Sequence, residues 1–303
     1  DLGIPQQYPD KPIRLVISLA PGGGTDILAR RIAAKLSENL GQQVVPDNRP
    51  AVDGVIATEI VARAHPDGYT LLFVSSSHAN NVAIGRKLPY DAIKDFSPIT
   101  QTASQQLVMV VTPSLPVKSI RELIDLAKAK PGVLNYGASS NAVQLPMELF
   151  NSMAGIKTNY IPYKGSAPTL LDLMAGRIEL TFSPAIAAVP FIKSGKLRAL
   201  ATGDLKRSAA FPDLPTVAES GIPKFQATAW TGVLGPAKLP RPMVDKLNKE
   251  IVAIVQGQEL KDWLQQNGSD PVGSTPEAFT AFIKAEITKW SAIAKAINLK
   301  PET

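Results

Sequence analysis

Ile13-Arg14-Leu15-Val16-Ile17-Ser18-Leu19 runs into Pro21-Gly22-Gly23-Gly24-Thr25-Asp26, and then Leu28, Ile32, Leu36 and Leu40 recur at helical spacing. The first stretch reads as a buried strand and the last as one face of an amphipathic helix, stopped by Gly41. Glycines at such a turn let the backbone approach a ligand closely, and the first helical N–H groups lack partners inside the helix. Those groups and the helix dipole make a seat for an anion. The same residues also read as a tight turn with Asp26 as N-cap.

The pattern repeats along the chain. Thr70–Val74 reads as a strand followed by Ser75-Ser76-Ser77-His78-Ala79-Asn80, and Leu107–Val111 as another. A helix opens at Ser119 with Glu122 at capping-box spacing. A strand near Leu134–Tyr136 meets Gly137-Ala138-Ser139-Ser140-Asn141 and a helix through about Ala154. Asn159–Ile161 meets Pro162-Tyr163-Lys164-Gly165 and the helix Thr169–Met174, and Ile178–Phe182 ends at Ser183-Pro184. This alternation predicts an α/β fold with right-handed crossovers and a largely parallel sheet.

The last quarter differs. A strand at Trp230–Leu234 precedes two long helices, near Pro242–Val255 and Pro276–Ile297. In the second, Phe279, Phe282, Ile283, Trp290, Ile293 and Ile297 form one apolar stripe that needs a packing partner. Ser274 and Glu277 have capping-box spacing, with Pro276 in the first turn.

Composition narrows the function classes. A chain of 303 residues predicts two domains at about 150 residues each. With 45% hydrophobic and 19% charged residues it has the make-up of a folded globular protein. No apolar run reaches the roughly 18 residues a membrane span requires. The absence of cysteine excludes disulfides, a thiol nucleophile and thiolate metal sites. The net charge of +6 is spread over scattered pairs such as Arg30-Arg31 and Lys206-Arg207, which reads as a solvated surface and not as a nucleic-acid-binding face. Asp1–Gln7 is polar and lacks a signal core, so the protein is expected either to stay inside the cell or to have lost a signal peptide.

Enzyme motifs are missing. The glycine triplet does not form the dinucleotide fingerprint, Ala138 stands where a P-loop needs lysine, and no G-x-S-x-G elbow surrounds Ser139 or Ser140. His65 and His78 are the two histidines, without H-E-x-x-H spacing, so no metal site and no cofactor are expected. Five loops remain: Gly22–Asp26, Ser75–Asn80, Gly137–Asn141, Tyr163–Gly165 and Ser183–Ala185. All follow the carboxyl ends of predicted strands, where ligands of open α/β sheets bind. Their hydroxyl, amide and glycine groups suit a small anion gripped from two sides. His78 reads equally as a donor to a carboxylate or as a loop histidine with local bonds. Lys164 and Arg30 read as solvated cations, and Trp230 as buried.

The chain resembles the Bug-type extracytoplasmic solute receptors of tripartite tricarboxylate transporters. The resemblance rests on an ordered series that runs nearly its whole length. The series comprises Tyr8-Pro9-Asp10-Lys11-Pro12-Ile13, Pro21–Asp26, Pro66-Asp67-Gly68-Tyr69-Thr70-Leu71-Leu72, Leu88-Pro89-Tyr90-Asp91 with Lys94-Asp95-Phe96, and Asn135-Tyr136-Gly137. Pro162-Tyr163-Lys164-Gly165, Gly195-Lys196-Leu197-Arg198-Ala199-Leu200 and Asp213-Leu214-Pro215-Thr216-Val217-Ala218-Glu219 complete it. It implies a two-lobed periplasmic-binding-protein-like fold with a ligand cleft between the lobes. One lobe would comprise residues 1–101 and 226–303, the other 102–225, and one late helix would return to cover the first lobe.

The implied ligand is a small carboxylate and the implied partner a membrane permease, with a monomeric, periplasmic receptor and no catalysis. Gly23, Gly24, Thr25, Asp26, Ser139, Ser140 and Tyr163 match the family's binding loops; Ser76, Ser77, His78, Asn141 and Ser183 join them from the loop reading. Ser183 departs from the family, many of whose members carry an acidic residue after that strand. A neutral residue there disfavours an ammonium-bearing ligand, so an amine-free dicarboxylate is expected, aromatic (terephthalate) or aliphatic, with citrate-like acids as rivals. A sensor for a two-component kinase and an α/β enzyme acting on a carboxylic acid are the competing functions.

Overall fold

The structure, a computed structural model, describes residues 8–299. Asp1–Gln7, and the signal-peptide expectation tied to it, lie outside them. The first unit forms as read: β1 (Ile13–Ile17) leads through the glycine turn into α1 (Gly24–Leu40), which ends at Gly41 in the left-handed region, φ 65°. There follow β2 (Val44–Asn48), α2 (Val55–Ala62), β3 (Thr70–Ser75) and α3 (Ser77–Ala83). β4 (Phe96–Val111) leads to α4 (Ile120–Ala129), β5 (Asn135–Ala138), α5 (Asn141–Ala154), β6 (Asn159–Pro162) and α6 (Ser166–Met174). β7 (Leu180–Pro184), α7 (Ala185–Lys193), β8 (Arg198–Thr202) and β9 (Thr228–Pro236) come next. The chain closes with α8 (Arg241–Gln256), α9 (Gln258–Gln266), β10 (Ser269–Pro271) and α10 (Pro276–Ala296).

Ten strands form one sheet in the order β2-β1-β3-β9-β4-β7-β5-β6, with β8 and β10 also pairing to β4. The expectation of a largely parallel sheet needs correction. Pairs β1–β2, β1–β3, β5–β6 and β5–β7 are parallel, whereas every pair made by β4 or β9 is antiparallel. The reason is topological: these two strands carry the chain between the halves of the sheet and run against the βαβ strands on either side. β4 is also far longer than the predicted Leu107–Val111. Its first part, rich in Thr, Ser and Gln, pairs with β9 as far as Gln106, and from Leu107 onward it pairs with β7 and β8.

Helices cover both faces. α1, α8 and α9 pack Leu28, Ile32 and Leu36 against Leu247, Ile251 and Leu264. On the opposite face α2 and α10 bury Val61, Phe279 and Ile283 around Trp230, whose ring meets that of Phe279 edge-on at 5.7 Å. The fit is close: a Cβ on Gly232 would lie 2.2 Å from Phe279 Cζ. In the other half, α4 and α5 enclose Leu123, Met147 and Phe150 with Phe182 and Phe225, while α6 and α7 bury Leu170, Leu173 and Val189. The predicted stripe on α10 serves both halves, since Trp290 and Ala294 join the Phe150 cluster.

Two caps differ in detail from the reading. Ser119 Oγ accepts from Glu122 N–H at 3.2 Å, but Glu122 reaches back to Lys118 N–H rather than to Ser119. At α10 the cap is Thr275, accepting from Ala278 N–H at 3.2 Å, because Ser274 Oγ is taken by Gln101 N–H at 2.9 Å.

Candidate functional site

Four helices begin around one cleft. The N-caps of α1, α5, α6 and α7 are Gly23, Ser140, Gly165 and Pro184, and none of them supplies a side-chain cap. Helix α4, away from the cleft, is capped by its own Ser119. N-termini without a cap from their own N-cap residue leave donors and dipoles directed at the cleft, which favours negative charge. At α5 the first amide, Asn141 N–H, is already bonded to Asp53 Oδ1 at 2.6 Å, so α1, α6 and α7 offer the freer starts.

The cleft is lined by Gly23, Gly24 and Thr25 from the first loop, Ser75 after β3, Ser139 and Ser140 before α5, and Ser166 at the start of α6, with Gln105 from β4. Among the described residues, no charged side chain lines it. The Ser139 and Ser166 hydroxyls face each other at 3.5 Å, and Ser183 lies beside them with Thr169 and Thr181. The loops nearly touch: a Cβ on Gly165 would lie 2.8 Å from Ala20 Cβ, and one on Gly24 3.3 Å from Pro184 Cβ. The cavity measures ≈ 20 Å³, little more than the roughly 10–15 Å³ a single water needs. A molecule of several carbons therefore requires these loops to part.

A groove of ≈ 390 Å³ between α1 and α8–α9 is larger, but its chemistry is self-contained. Lys35 pairs with Glu259 at 3.1 Å, and Arg31 stacks on Trp263 at 4.2 Å. The small cleft, with its convergent helix starts, is the better site.

Of the residues singled out in the sequence, Gly23, Gly24, Thr25, Ser139 and Ser140 meet in the cleft, and Ser183 adjoins it. Others stand behind it. Asp26 is buried and ties the glycine turn together, accepting from Gly22 N–H, Arg30 Nε and Asn48 Nδ2, each at 2.9 Å. Arg30 is thereby committed to Asp26 and to Asn48 Oδ1. Ser76 Oγ accepts from Trp230 N–H at 2.9 Å, fastening β3's end to β9, and Ser77 is buried next to it. Tyr163 donates its hydroxyl to Asp172 at 2.8 Å, and burial with this carboxylate pushes its pKa up to about 12. Asn141 is engaged with Asp53 and Asn81. Lys164 is exposed.

Of the two readings of His78, its place in the fold favours the histidine with local bonds. Its ring is 2% exposed and packed edge-on to Phe96 at 5.3 Å and parallel to Tyr90. Its Nε2 bonds the Ala92 carbonyl at 2.8 Å. Apolar surroundings make it a core residue, which loop position alone did not show. Burial lowers its pKa from 6.5 to about 4. The unfolded chain binds the proton more readily, so acidification from pH 6.5 towards 4 is expected to remove up to about 3 kcal/mol of stability. A titration of the His78 ring proton by NMR checks this: the signal should stay that of neutral imidazole until near pH 4. Protonation near pH 6.5 would contradict it.

Gln105 and Ser166 were missed in the sequence. Gln105 is 1% exposed and its Nε2 has no hydrogen-bond partner, so a buried donor lies at the cleft wall. The only signal was the Gln105-Gln106 pair directly before the apolar run Leu107–Val111. Ser166 followed directly on the Tyr163–Gly165 loop and was within reach of the loop reading. Among the described residues no group of His, Cys, Asp or Glu gathers to hold a metal, and no helix is long and apolar enough to cross a membrane.

Comparison with known proteins agrees with this architecture. The family model of the tripartite tricarboxylate transporter family receptor, TctC, matches residues 28–299. Protein BugT of Bordetella pertussis is 36% identical over 97% of this chain and 91% of its own length. Among solved structures, R. palustris Rpa4515 with adipate is 37% identical, with a TM-score of 0.95 over 97% of this chain and 100% of that one. MatC from Rhodopseudomonas palustris with bound malate is 28% identical, with a TM-score of 0.90 over 94% and 99%. A TctC solute-binding protein from Polaromonas without ligand, 26% identical, scores 0.69 over 95% and 99%. These relatives are receptors and not enzymes. The chain belongs to the tripartite tricarboxylate transporter family receptors, the TctC or Bug-type periplasmic solute-binding proteins.

Proposed function

We propose that this receptor captures an amine-free dicarboxylate by closure of two lobes, residues 1–101 with 226–303 and residues 102–225, and hands it to the permease of a tripartite tricarboxylate transporter. The observation that carries the reading is the uncharged cleft onto which four helices open without a cap from their own N-cap residues. Neutral donors and helix dipoles satisfy a carboxylate without a fixed counter-charge. With Ser183 in place of an acid, the lining offers an ammonium group no anionic partner. Adipate and malate, named with two of the solved relatives, are both amine-free dicarboxylates.

Gly23, Gly24 and Thr25 would hold one carboxylate from the first lobe. Ser139, Ser140 and Ser166 would hold the other from the second, with Ser183 completing the polar wall. The lobes pivot where β4 exchanges β9 for β7 and β8, just past Gln106. Closure follows because only the closed state satisfies both carboxylates at once. Greater similarity to the adipate and malate complexes than to the unliganded Polaromonas protein supports reading the described conformation as closed.

Thermal unfolding against adipate, malate, terephthalate, citrate and glutamate tests the function. A dicarboxylate at 100 times its dissociation constant should stabilise the protein by about 2.7 kcal/mol. A shift with one of the amine-free diacids supports the reading and narrows the ligand. A larger shift with glutamate would overturn the amine-free assignment, and no shift with any acid would overturn the carboxylate class.

A further inference from the structure

A polar cluster beside the cleft joins the two proposed lobes without any ligand. Asp53 sits in a left-handed turn, φ 52°, followed by Gly54 at φ 76°. This turn presses on the end of β1, since a Cβ on Gly54 would come within 2.7 Å of Ser18 Cβ. The geometry holds the Asp53 carboxylate over the start of α5. Its Oδ1 accepts from Asn141 N–H at 2.6 Å and its Oδ2 from Arg86 at 2.7 Å. Both charged side chains are well shielded, 8% exposed for Asp53 and 17% for Arg86. Two amides extend the link: Asn141 Nδ2 donates to Asn81 Oδ1 at 2.9 Å, and Asn80 Nδ2 donates to the Asn141 carbonyl at 3.2 Å.

We propose that Asp53, aimed by Arg86, is a positioning residue that latches the closed receptor by holding the N-terminus of α5, and so sets how long the ligand stays bound. The proposal rests on the two-lobe reading above. Asp53, Asn80, Asn81 and Arg86 belong to the first lobe, and Asn141 to the second. Parting the lobes leaves the ion pair intact within the first lobe but breaks its bonds to Asn141. An anion at a helix N-terminus is favourable, and more so where water is excluded. The contact therefore adds to closure alongside the ligand. It also fixes the position of Ser139 and Ser140, which immediately precede α5, so the same carboxylate that closes the lobes orients the cleft wall.

Two variants isolate the contact. Asp53→Asn keeps a residue tolerant of the left-handed turn and an acceptor for Asn141 N–H, but removes the charge. Asn141→Pro removes the N–H itself at the first helical position, where proline is well accommodated, together with the side-chain bond to Asn81. In each variant the dissociation of adipate, followed by tryptophan fluorescence in stopped flow, should quicken about tenfold. Combining the two should add little to the larger single effect, since both act on the same contact, one by weakening its acceptor and the other by deleting its donor.

The chain has no cysteine, so spin labels at Glu38→Cys and Lys128→Cys report the distance between lobes directly. Without ligand, both variants should shift that distance towards longer values. This readout stands even if adipate proves not to bind, which separates failure of the latch from failure of the ligand assignment. Unchanged distances, unchanged dissociation or additive effects would overturn the proposal. So would a lower melting temperature with no change in either readout, because that is the mark of a merely structural pair.

Discussion

Gly165→Ala should abolish tight ligand capture while leaving the unliganded protein folded. A Cβ at this position would stand 2.8 Å from Ala20 Cβ, a contact between two short side chains that cannot swing aside. Gly165 precedes α6 and Ala20 precedes the glycine turn, so on the two-lobe reading the clash exists only when the lobes meet. Overpacking of this kind costs about 1–3 kcal/mol, which corresponds to roughly a ten- to hundredfold loss of affinity. Calorimetric titration with the dicarboxylate that stabilises the wild type measures the loss. Gly165 also adopts φ 159° with ψ 165°, a region essentially reserved for glycine, so the unliganded protein should melt somewhat lower as well. Unaltered affinity would sink the closure mechanism.

The second large effect is expected at Gln105, where binding and stability should part company. Gln105 Nε2 is buried at the cleft wall with no partner, and its strand changes partners within two residues of it. An unsatisfied buried donor is a cost to the folded state, and a carboxylate arriving in the cleft removes that cost. Gln105→Met preserves length and flexibility but deletes the donor. Affinity should fall by about a hundredfold, in line with the roughly 1.5–3 kcal/mol of a hydrogen bond to a charged group. The unliganded protein should melt at the same temperature or higher. Most binding-site substitutions in a buried wall destabilise the fold, so this opposite sign is diagnostic. Unaltered affinity would show that the amide does not reach the ligand.

Much of this receptor follows from local rules. β1, its glycine turn and α1 form where strand, positive-φ glycine and four-residue periodicity occur in succession, each dictated by residues next to one another in the chain. The anion-seat character of Gly23, Gly24 and Thr25 belongs to the same class of fact, since unpaired amides at a helix start exist wherever a helix starts without a capping side chain. Ser139 and Ser140 could be picked for the same reason. β4 resisted reading because Thr100, Gln101, Thr102, Gln105 and Gln106 break the apolar run, yet all of them are buried. A strand that crosses between two half-sheets is enclosed on both faces and can carry polar residues whose partners lie far away in sequence.

Histidine 78 and asparagine 141 mark the boundary between local and tertiary information. Both lie in serine-rich turns at strand ends, and nothing in those turns says which way a side chain will face. The packing of Phe96 and Tyr90 buries the imidazole, and the Asp53 turn takes the Asn141 amide. The amino-acid sequence by itself determined the α/β units, their order and the residue chemistry of the loops at their ends, because these depend on neighbours a few residues away. Only the tertiary structure decided which loops meet, that Gln105 and Ser166 join them, and that Asp53 reaches α5. Those contacts span long stretches of chain, and only the crossing of β4 and β9 brings them within hydrogen-bond reach.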